Sequence, residues 1–207
     1  MNRKSHWESI YSTKRSSSLS WFQPHPQRSL DLIERTGLPK NAKILDVGGG
    51  DSLLVDELVA RGYADITVLD LSIAAIDRAR HRLGEAATAR VTWLEADILE
   101  AELPREEFDI WHDRAVFHFL TRREDRGRYL KHLRETLKVD GTAILATFTE
   151  DGPATCSGLP VARYSPDSLA AELGDDFSLV DSVLYEHQTP WGTIQPFLYA
   201  RFLRVGS

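Results

Sequence analysis

One segment constrains this chain more than any other: Ile44-Leu45-Asp46-Val47-Gly48-Gly49-Gly50-Asp51-Ser52, an aliphatic run that passes directly into three glycines. An apolar stripe built around Leu54 and Leu58 follows and stops near Arg61-Gly62, where glycine suits the end of a helix. Strand, tight turn and helix in that order leave bare backbone and helix amides pointing into one crevice. An open α/β sheet receives its ligands at this carboxyl edge, beside the point where the strand order reverses.

The rest of the chain repeats the unit. Runs at 43–47 (KILDV), 66–71 (ITVLDL), 91–96 (VTWLEA), 108–112 (FDIWH) and 142–148 (TAILATF) predict buried strands of a parallel sheet. Ser72 is placed to cap a helix whose Ile73, Ile76, Ala79 and Leu83 keep one apolar side, closed by Gly84. Thr121-Arg122-Arg123-Glu124 reads as a capping box ahead of Tyr129, Leu130, Leu133 and Leu137, and Ser165-Pro166 opens a further helix that ends before Gly174. Strand–helix alternation of this kind specifies an α/β sheet with right-handed crossovers. The ending differs. Runs at 177–187 and 197–204 are separated only by the turn-rich Gln188-Thr189-Pro190-Trp191-Gly192, which predicts an antiparallel hairpin on one sheet edge.

No linker or repeat divides the chain, but residues 1–40 stand apart from a main domain at 41–207 as an N-terminal helical cap or lid. They carry Trp7, Tyr11, Trp21 and Phe22 and an expected helix from about 26 to 36. Trp7 and Tyr11 are spaced for one helix face, and suit either a flap over the ligand or a glue that fixes a terminal helix.

Composition narrows the partners. With 207 residues, 42% hydrophobic and 27% charged, the chain has the make-up of one globular domain. A net charge of −6 argues against nucleic acid as the main partner. The basic stretch 122–138 is interleaved with Glu124, Asp125 and Glu135, as a solvated helix face would be. A single cysteine, Cys156, has no partner for an internal disulfide and points to a reducing compartment. No window reaches the roughly 18 apolar residues of a membrane span, and no apolar stretch follows the basic residues of the N-terminus. The expectation is a cytoplasmic protein with no membrane partner.

A glycine turn alone is shared with dinucleotide sites. Here Leu53 stands where that fingerprint needs its third glycine. Asp46, two residues ahead of Gly48, is suited to a cationic amino group rather than a pyrophosphate. Asp70 ends the second strand, where a carboxylate accepts two hydrogen bonds from vicinal ribose hydroxyls; otherwise it caps the helix after Ser72. Asp97 follows the third strand, placed to accept from an adenine amino group with Ile98 beside the ring. Alone it would be an ordinary loop residue. Its weight comes from the series of three strand tips that end in aspartate.

These motifs resemble those of the class I S-adenosylmethionine-dependent methyltransferases, over nearly the whole stretch from about 43 to 204. ILDVGGGDS is similar to their first motif, VLDLS to their second and EADI to their third, and Val139-Asp140-Gly141-Thr142 resembles the turn into their fifth strand. Ser52 departs from the pattern by replacing the usual third glycine. The resemblance implies a Rossmann-like seven-stranded sheet in the order 3-2-1-4-5-7-6, strand 7 antiparallel, with helices on both faces. It implies S-adenosylmethionine as cofactor, bordered by Trp21, Asp46, Gly48, Gly49, Gly50, Asp70, Leu71, Asp97, Ile98 and Asp113. Short matches at Ser20-Trp21-Phe22-Gln23, Asp113-Arg114-Ala115 and Gln188–Gly192 with Gln195 resemble the thiopurine S-methyltransferase-like branch.

The methyl group of a sulfonium is already activated, so alignment supplies much of the catalysis. Should the acceptor be a hydroxyl or ammonium, a base is needed as well. Asp113 and His118, after the fourth strand, are the candidate catalytic residues, Asp113 also touching the methionine end of the cofactor. The other reading of His118 is a partly buried helix histidine between Phe117 and Phe119. His187 and Trp191 either reach over the mouth or serve as a strand end and a core residue. The acceptor is a small molecule or a protein side chain. The alternatives are a regulatory protein that binds the cofactor without turnover, and a nicotinamide-dependent oxidoreductase.

Overall fold

In the computed structural model, which describes residues 2–206, the chain forms the strand–helix series that the glycine segment and its repeats specify. The order is α1 (Arg3–Thr13), α2 (Gln27–Glu34), β1 (Lys43–Val47), α3 (Leu54–Ala60), β2 (Asp65–Asp70), α4 (Ile73–Leu83), α5 (Glu85–Thr88), β3 (Val91–Glu95), β4 (Phe108–Arg114), α6 (Arg123–Thr136), β5 (Leu137–Phe148), β6 (Thr155–Cys156), β7 (Leu159–Pro160), α7 (Pro166–Leu173), β8 (Phe177–Gln188) and β9 (Ile194–Arg204). Seven strands make one sheet in the order β3-β2-β1-β4-β5-β9-β8. The first five pair in parallel, while β9 runs antiparallel to both β5 and β8. Numbering only the sheet strands, this is the order 3-2-1-4-5-7-6. The reversal between β1 and β4 falls where the glycine turn leaves β1.

Alternation along the central strands fills both faces. Ile44, Ile66, Val68, Ile110 and Ile144 lie with Leu30, Leu32 and Ile33 of α2 and Leu54, Val55 and Leu58 of α3. Leu45, Val47, Trp111 and Leu145 lie instead with Tyr129, Leu130 and Leu133 of α6 and Leu169 and Leu173 of α7. Burying each such side chain contributes roughly 1.5–3 kcal/mol, so both faces must be covered for the sheet to persist. Cap chemistry sets the helix limits. Ser72 Oγ accepts the Ala75 amide at 3.2 Å, Gly84 closes α4 at φ +76°, and Ser165 forms a capping box with Ser168.

Three local expectations are corrected and one element is added. The box proposed at Thr121–Glu124 does not form: α6 starts one residue late with Arg122 at its cap and no side-chain bond there. The Leu120 and Thr121 carbonyls are taken by the Arg126 guanidinium instead. Strand β5 begins at Leu137, not at 142, because the Val139-Asp140-Gly141 turn is an irregularity within it, with Asp140 at φ +61°. Strand β4 extends two residues past His112 and carries Arg114 to the sheet edge, paired with Ala146. A short hairpin, β6–β7, adds a wall that the sequence did not announce.

The N-terminal segment divides in two. Helix α2 is part of the main core, whereas α1 packs on α4 through Ile10, Tyr11, Leu19 and Ala75. Among the described residues no helix is long and apolar enough to cross a membrane.

Candidate active site

A cleft of about 880 Å³, counting the solvent at its open mouth, lies at the carboxyl edge of the parallel strands. Its two ends differ in chemistry. One lies along the tips of β1, β2 and β3 and is bordered by Val47, Gly48, Asp70, Leu71, Asp97 and Ile98. The other lies beyond β4 and is bordered by Arg114, Phe119, Phe148, Cys156, Gln195 and Phe197. Arg3, Trp7, Tyr11 and Trp21 border it from the N-terminal segment.

The glycine turn leaves room because it has no side chains to spare. Gly48, at φ +67°, is a position L-residues rarely adopt, and a Cβ there would lie 2.1 Å from Val116 Cγ2. Gly50 at φ +40° passes over the Asp70 carboxylate, 2.6 Å from where its Cβ would stand. Gly49 lies against Asp46 and away from the open cleft.

Asp70 is the most perturbed carboxyl at this end. It is buried and makes no ion pair among the described residues, and its Oδ1 accepts the Ser72 amide at 2.8 Å. Burial pushes its pKa up to about 7, with the Asp46 and Glu8 charges adding to the effect. Further hydrogen-bond donors from a ligand would stabilise its ionised form. Asp97 borders the cleft too, but its Oδ1 accepts the Leu99 amide at 2.9 Å and its Oδ2 meets Arg3 at 3.0 Å.

Three expected site residues point elsewhere. Asp46 is buried behind the turn, where Oδ1 bonds His112 Nδ1 at 2.7 Å, and His112 Nε2 in turn reaches Ser29 Oγ at 2.9 Å. Held by His112 across to β4, this carboxylate ties β1 to β4 and does not line the cleft. Asp113 is also buried outside the lining. It accepts the Val116 amide at 2.8 Å, the Phe117 amide at 3.0 Å and the Tyr129 hydroxyl at 2.6 Å. The Trp111 indole donates to the same Tyr129 oxygen at 2.8 Å. Burial raises the Asp113 pKa to about 6. Its bonds hold the turn that places Ala115 at φ +72° in the cleft wall, a left-handed conformation that non-glycine residues adopt at a cost.

His118 is fully enclosed, with ring centroids 4.5 Å from Phe119 and 4.9 Å from Phe148, and neither ring nitrogen finds a hydrogen-bond partner among the described residues. Burial and the nearby Arg114 charge lower its pKa to about 3. The ring is neutral and cut off from the cleft, which removes it as a base. His187 bonds the Ser20 carbonyl at 2.6 Å, and Trp191 is exposed on the surface, so neither reaches over the mouth.

Sequence reasoning missed most of the second end. In the sequence Arg114 stands only within a motif and Cys156 carries only its redox meaning. Phe148 falls at a strand end, which is also why it reaches the cleft. The one available signal was that β4 carries a buried-strand pattern into an arginine.

The residues present fit an adenosyl sulfonium: a side-chain-free turn, a cation-free buried carboxylate at the β2 tip, and the apolar Leu71 and Ile98 beside it. The arginine at that turn, Arg82, is taken up by Asp51, Asp56 and the Ser52 carbonyl.

Residues 44–141 match the family model described as a methyltransferase domain. An uncharacterised methyltransferase of Mycobacterium tuberculosis is 36% identical over 116 residues, or 56% of this chain and 54% of that protein. The chain thus spans about half the length of this relative. The human EEF1A lysine methyltransferase 2 is 22% identical over 196 residues, covering 88% of this chain and 77% of the relative. In three dimensions, the 1,6-didemethyltoxoflavin-N1-methyltransferase of Burkholderia thailandensis, solved with S-adenosylhomocysteine, superposes with a TM-score of 0.73. Its identity is 22%, over 98% of this chain and 87% of that one.

Proposed function

This chain carries a class I S-adenosylmethionine-dependent methyltransferase domain, and on that premise we propose that it transfers the cofactor's methyl group to an acceptor bound beyond β4. The observation that carries the reading is the buried, cation-free Asp70 carboxylate beneath the Gly48–Gly50 turn. Asp70 accepts from the ribose hydroxyls, Leu71 and Ile98 hold the adenine between them, and Asp97 offers an oxygen to the adenine amino group once Arg3 yields it. Gly48 and Gly50 let the backbone approach the rest of the cofactor, and Trp21 covers it. When bound, the cofactor supplies a methyl group that already carries a good leaving group.

The protein's own part is alignment and exclusion of water. The enclosed apolar wall of Phe119, Phe148 and Phe197 keeps the acceptor side dry, and positioning alone is worth roughly 7–11 kcal/mol in favourable cases. No histidine or free carboxylate among the described residues borders the acceptor end. Residues 1–24 act as a lid in this reading. Helix α1 is tied to the main domain by Arg3 to Asp97 at 3.0 Å, Lys4 to Glu95 at 2.6 Å and Glu8 to Ser72 at 2.7 Å, and the segment after it by Ser16 to Asp51 and by the Ser20 and Trp21 carbonyls to His187 and Arg114.

The acceptors in the relatives' names are a protein lysine and a heterocycle, and neither is a thiopurine. Calorimetry of the full chain with S-adenosylhomocysteine and with NAD tests the cofactor: the nucleoside binds and NAD does not. A metabolite and protein panel with labelled methyl donor then tests turnover. Binding without transfer to any acceptor leaves the regulatory alternative standing.

A further inference from the structure

The acceptor end of the cleft holds a cation that the chain does not neutralise. Arg114 Nε donates to the Tyr199 hydroxyl at 2.9 Å and Nη1 to the Trp21 carbonyl at 2.9 Å. Its Nη2 is buried and makes no hydrogen bond, and no carboxylate pairs with the group among the described residues. The guanidinium carbon lies 5.0 Å from the centre of the Phe197 ring. Two neutral partners and one aromatic face orient the plane of the guanidinium but leave its charge unmatched. Arg114 is half-buried, and its enclosed Nη2 is incomplete, since an unpaired donor on a charged group is costly once withdrawn from water. The field is felt nearby: the Arg114 charge helps to hold His118 and His187 neutral.

Resting on the methyltransferase reading above, we propose that Arg114 is the acceptor-binding cation, and that the acceptor is a small aromatic or unsaturated molecule carrying an anionic oxygen. The anion pairs with the guanidinium, while the ring lies among Phe119, Phe148 and Phe197. Planar, forked donors suit a carboxylate or an ionised enol. An acceptor held as its anion brings no proton that the protein must remove, which agrees with a cleft whose histidine is enclosed and whose Asp113 is fully bonded. The same charge disfavours a lysine ammonium, so the substrate class departs from the protein-lysine relative.

The cofactor's own carboxylate is the other source of such an anion, because Arg114 also borders a smaller cleft beside Asp51, Ser52 and Gln23. Titration calorimetry separates the two. With the full chain saturated in S-adenosylhomocysteine, benzoate and 2-naphthoate are compared with their amides and with benzylamine. The acids bind at least about tenfold tighter than the amides, as one charged hydrogen-bonded contact supplies, and the amine gives no heat. Arg114→Met loses the preference for acid, and Arg114→Lys keeps part of it. In the same variants the affinity for S-adenosylhomocysteine, relative to 5′-methylthioadenosine, stays unchanged.

Equal binding of acid and amide, absence of heat from either acid, or an acid preference that survives Arg114→Met overturns the inference. So does a selective loss of S-adenosylhomocysteine in Arg114→Met, which would assign the guanidinium to the cofactor. The acid-to-amide ratio is read on the wild-type chain, so the test does not depend on the variants folding. Failure of S-adenosylhomocysteine to bind the wild type is a different result: it removes the methyltransferase reading itself.

Discussion

The two ends of the cleft share one sheet edge and have opposite chemistry. At the tips of β2 and β3 stand two carboxylates, one of them buried and without a cation; beyond β4 stands one guanidinium without an anion. Strand periodicity places all of these residues at the carboxyl edge, so the fold alone does not distinguish donor side from acceptor side. What separates them is which side chains were left unpaired. On the same strands, Asp113 and His112 have both polar atoms engaged by internal bonds, and Asp46 is tied to His112 outside the cleft lining. The contrast teaches that position at the strand ends nominates a residue, and its incomplete hydrogen bonding selects it.

The sharpest way to break this contrast is to remove one end at a time. Asp70→Ala is expected to weaken S-adenosylhomocysteine binding by about 100-fold, the loss of two charge-assisted hydrogen bonds, with the circular dichroism spectrum unchanged. Arg114→Met leaves in place the affinity for S-adenosylhomocysteine relative to 5′-methylthioadenosine. If both variants lose the nucleoside equally, the cleft does not have two separable ends.

Next in size is the seam between them. Gly48→Ala forces a left-handed backbone on an L-residue and drives its Cβ against Val116. A loss of about 2 kcal/mol in unfolding free energy is expected, measured by denaturant titration. A cost near zero would mean that the turn is free to relax and that the two ends are not held in fixed relation.

The acidic end also has a pH signature. The folded pKa of Asp70 is raised to about 7, so its contribution to apo stability is present below the unfolded value near 3.9 and lost as pH rises through 7. Hydroxyl donors favour the ionised form, so ligand binding releases a proton from the protonated carboxyl. Nucleoside affinity therefore rises with pH between about 5 and 7, by at most about tenfold per unit, and levels off above. Asp70→Asn flattens the profile, and a flat wild-type profile would show that Asp70 does not face the ligand.

The smallest of these effects belongs to the enclosed histidine. His118 has its folded pKa depressed to about 3, so its contribution is present above the unfolded value near 6.5 and lost as pH falls from there. His118→Phe keeps stability at pH 7 and spares the variant about 1 kcal/mol of the wild type's loss between pH 6.5 and 5.5. Parallel melting curves for wild type and variant across that window would return His118 to the solvent-accessible wall.

Legibility in the sequence followed the range of the forces involved. Strands and their order rest on apolar runs and on local caps such as Ser72, and these are written in contiguous residues. Even so, the box expected at Thr121 does not form: the helix caps at Arg122, and the Thr121 carbonyl accepts from Arg126, outside the motif. The aspartates at the β2 and β3 tips were found from their position, and they border the cleft. Asp46 and Asp113 were chosen by the same rule and turned inward, because their partners, His112, Ser29 and Tyr129, come from other elements. Arg114 was passed over for the converse reason. Its significance is an absent partner, and an absence of that kind shows only once the neighbours are in place.

The ties of the N-terminal helix have a kinetic corollary. Arg3 and Lys4 bind Asp97 and Glu95 across partly exposed surfaces, and added electrolyte loosens ion pairs of that kind. The gate over the nucleoside would then open more often as ionic strength rises. Stopped-flow association rates should climb with sodium chloride, opposite to the ordinary slowing of charge-steered encounters, and the trend should vanish when α1 is cut away.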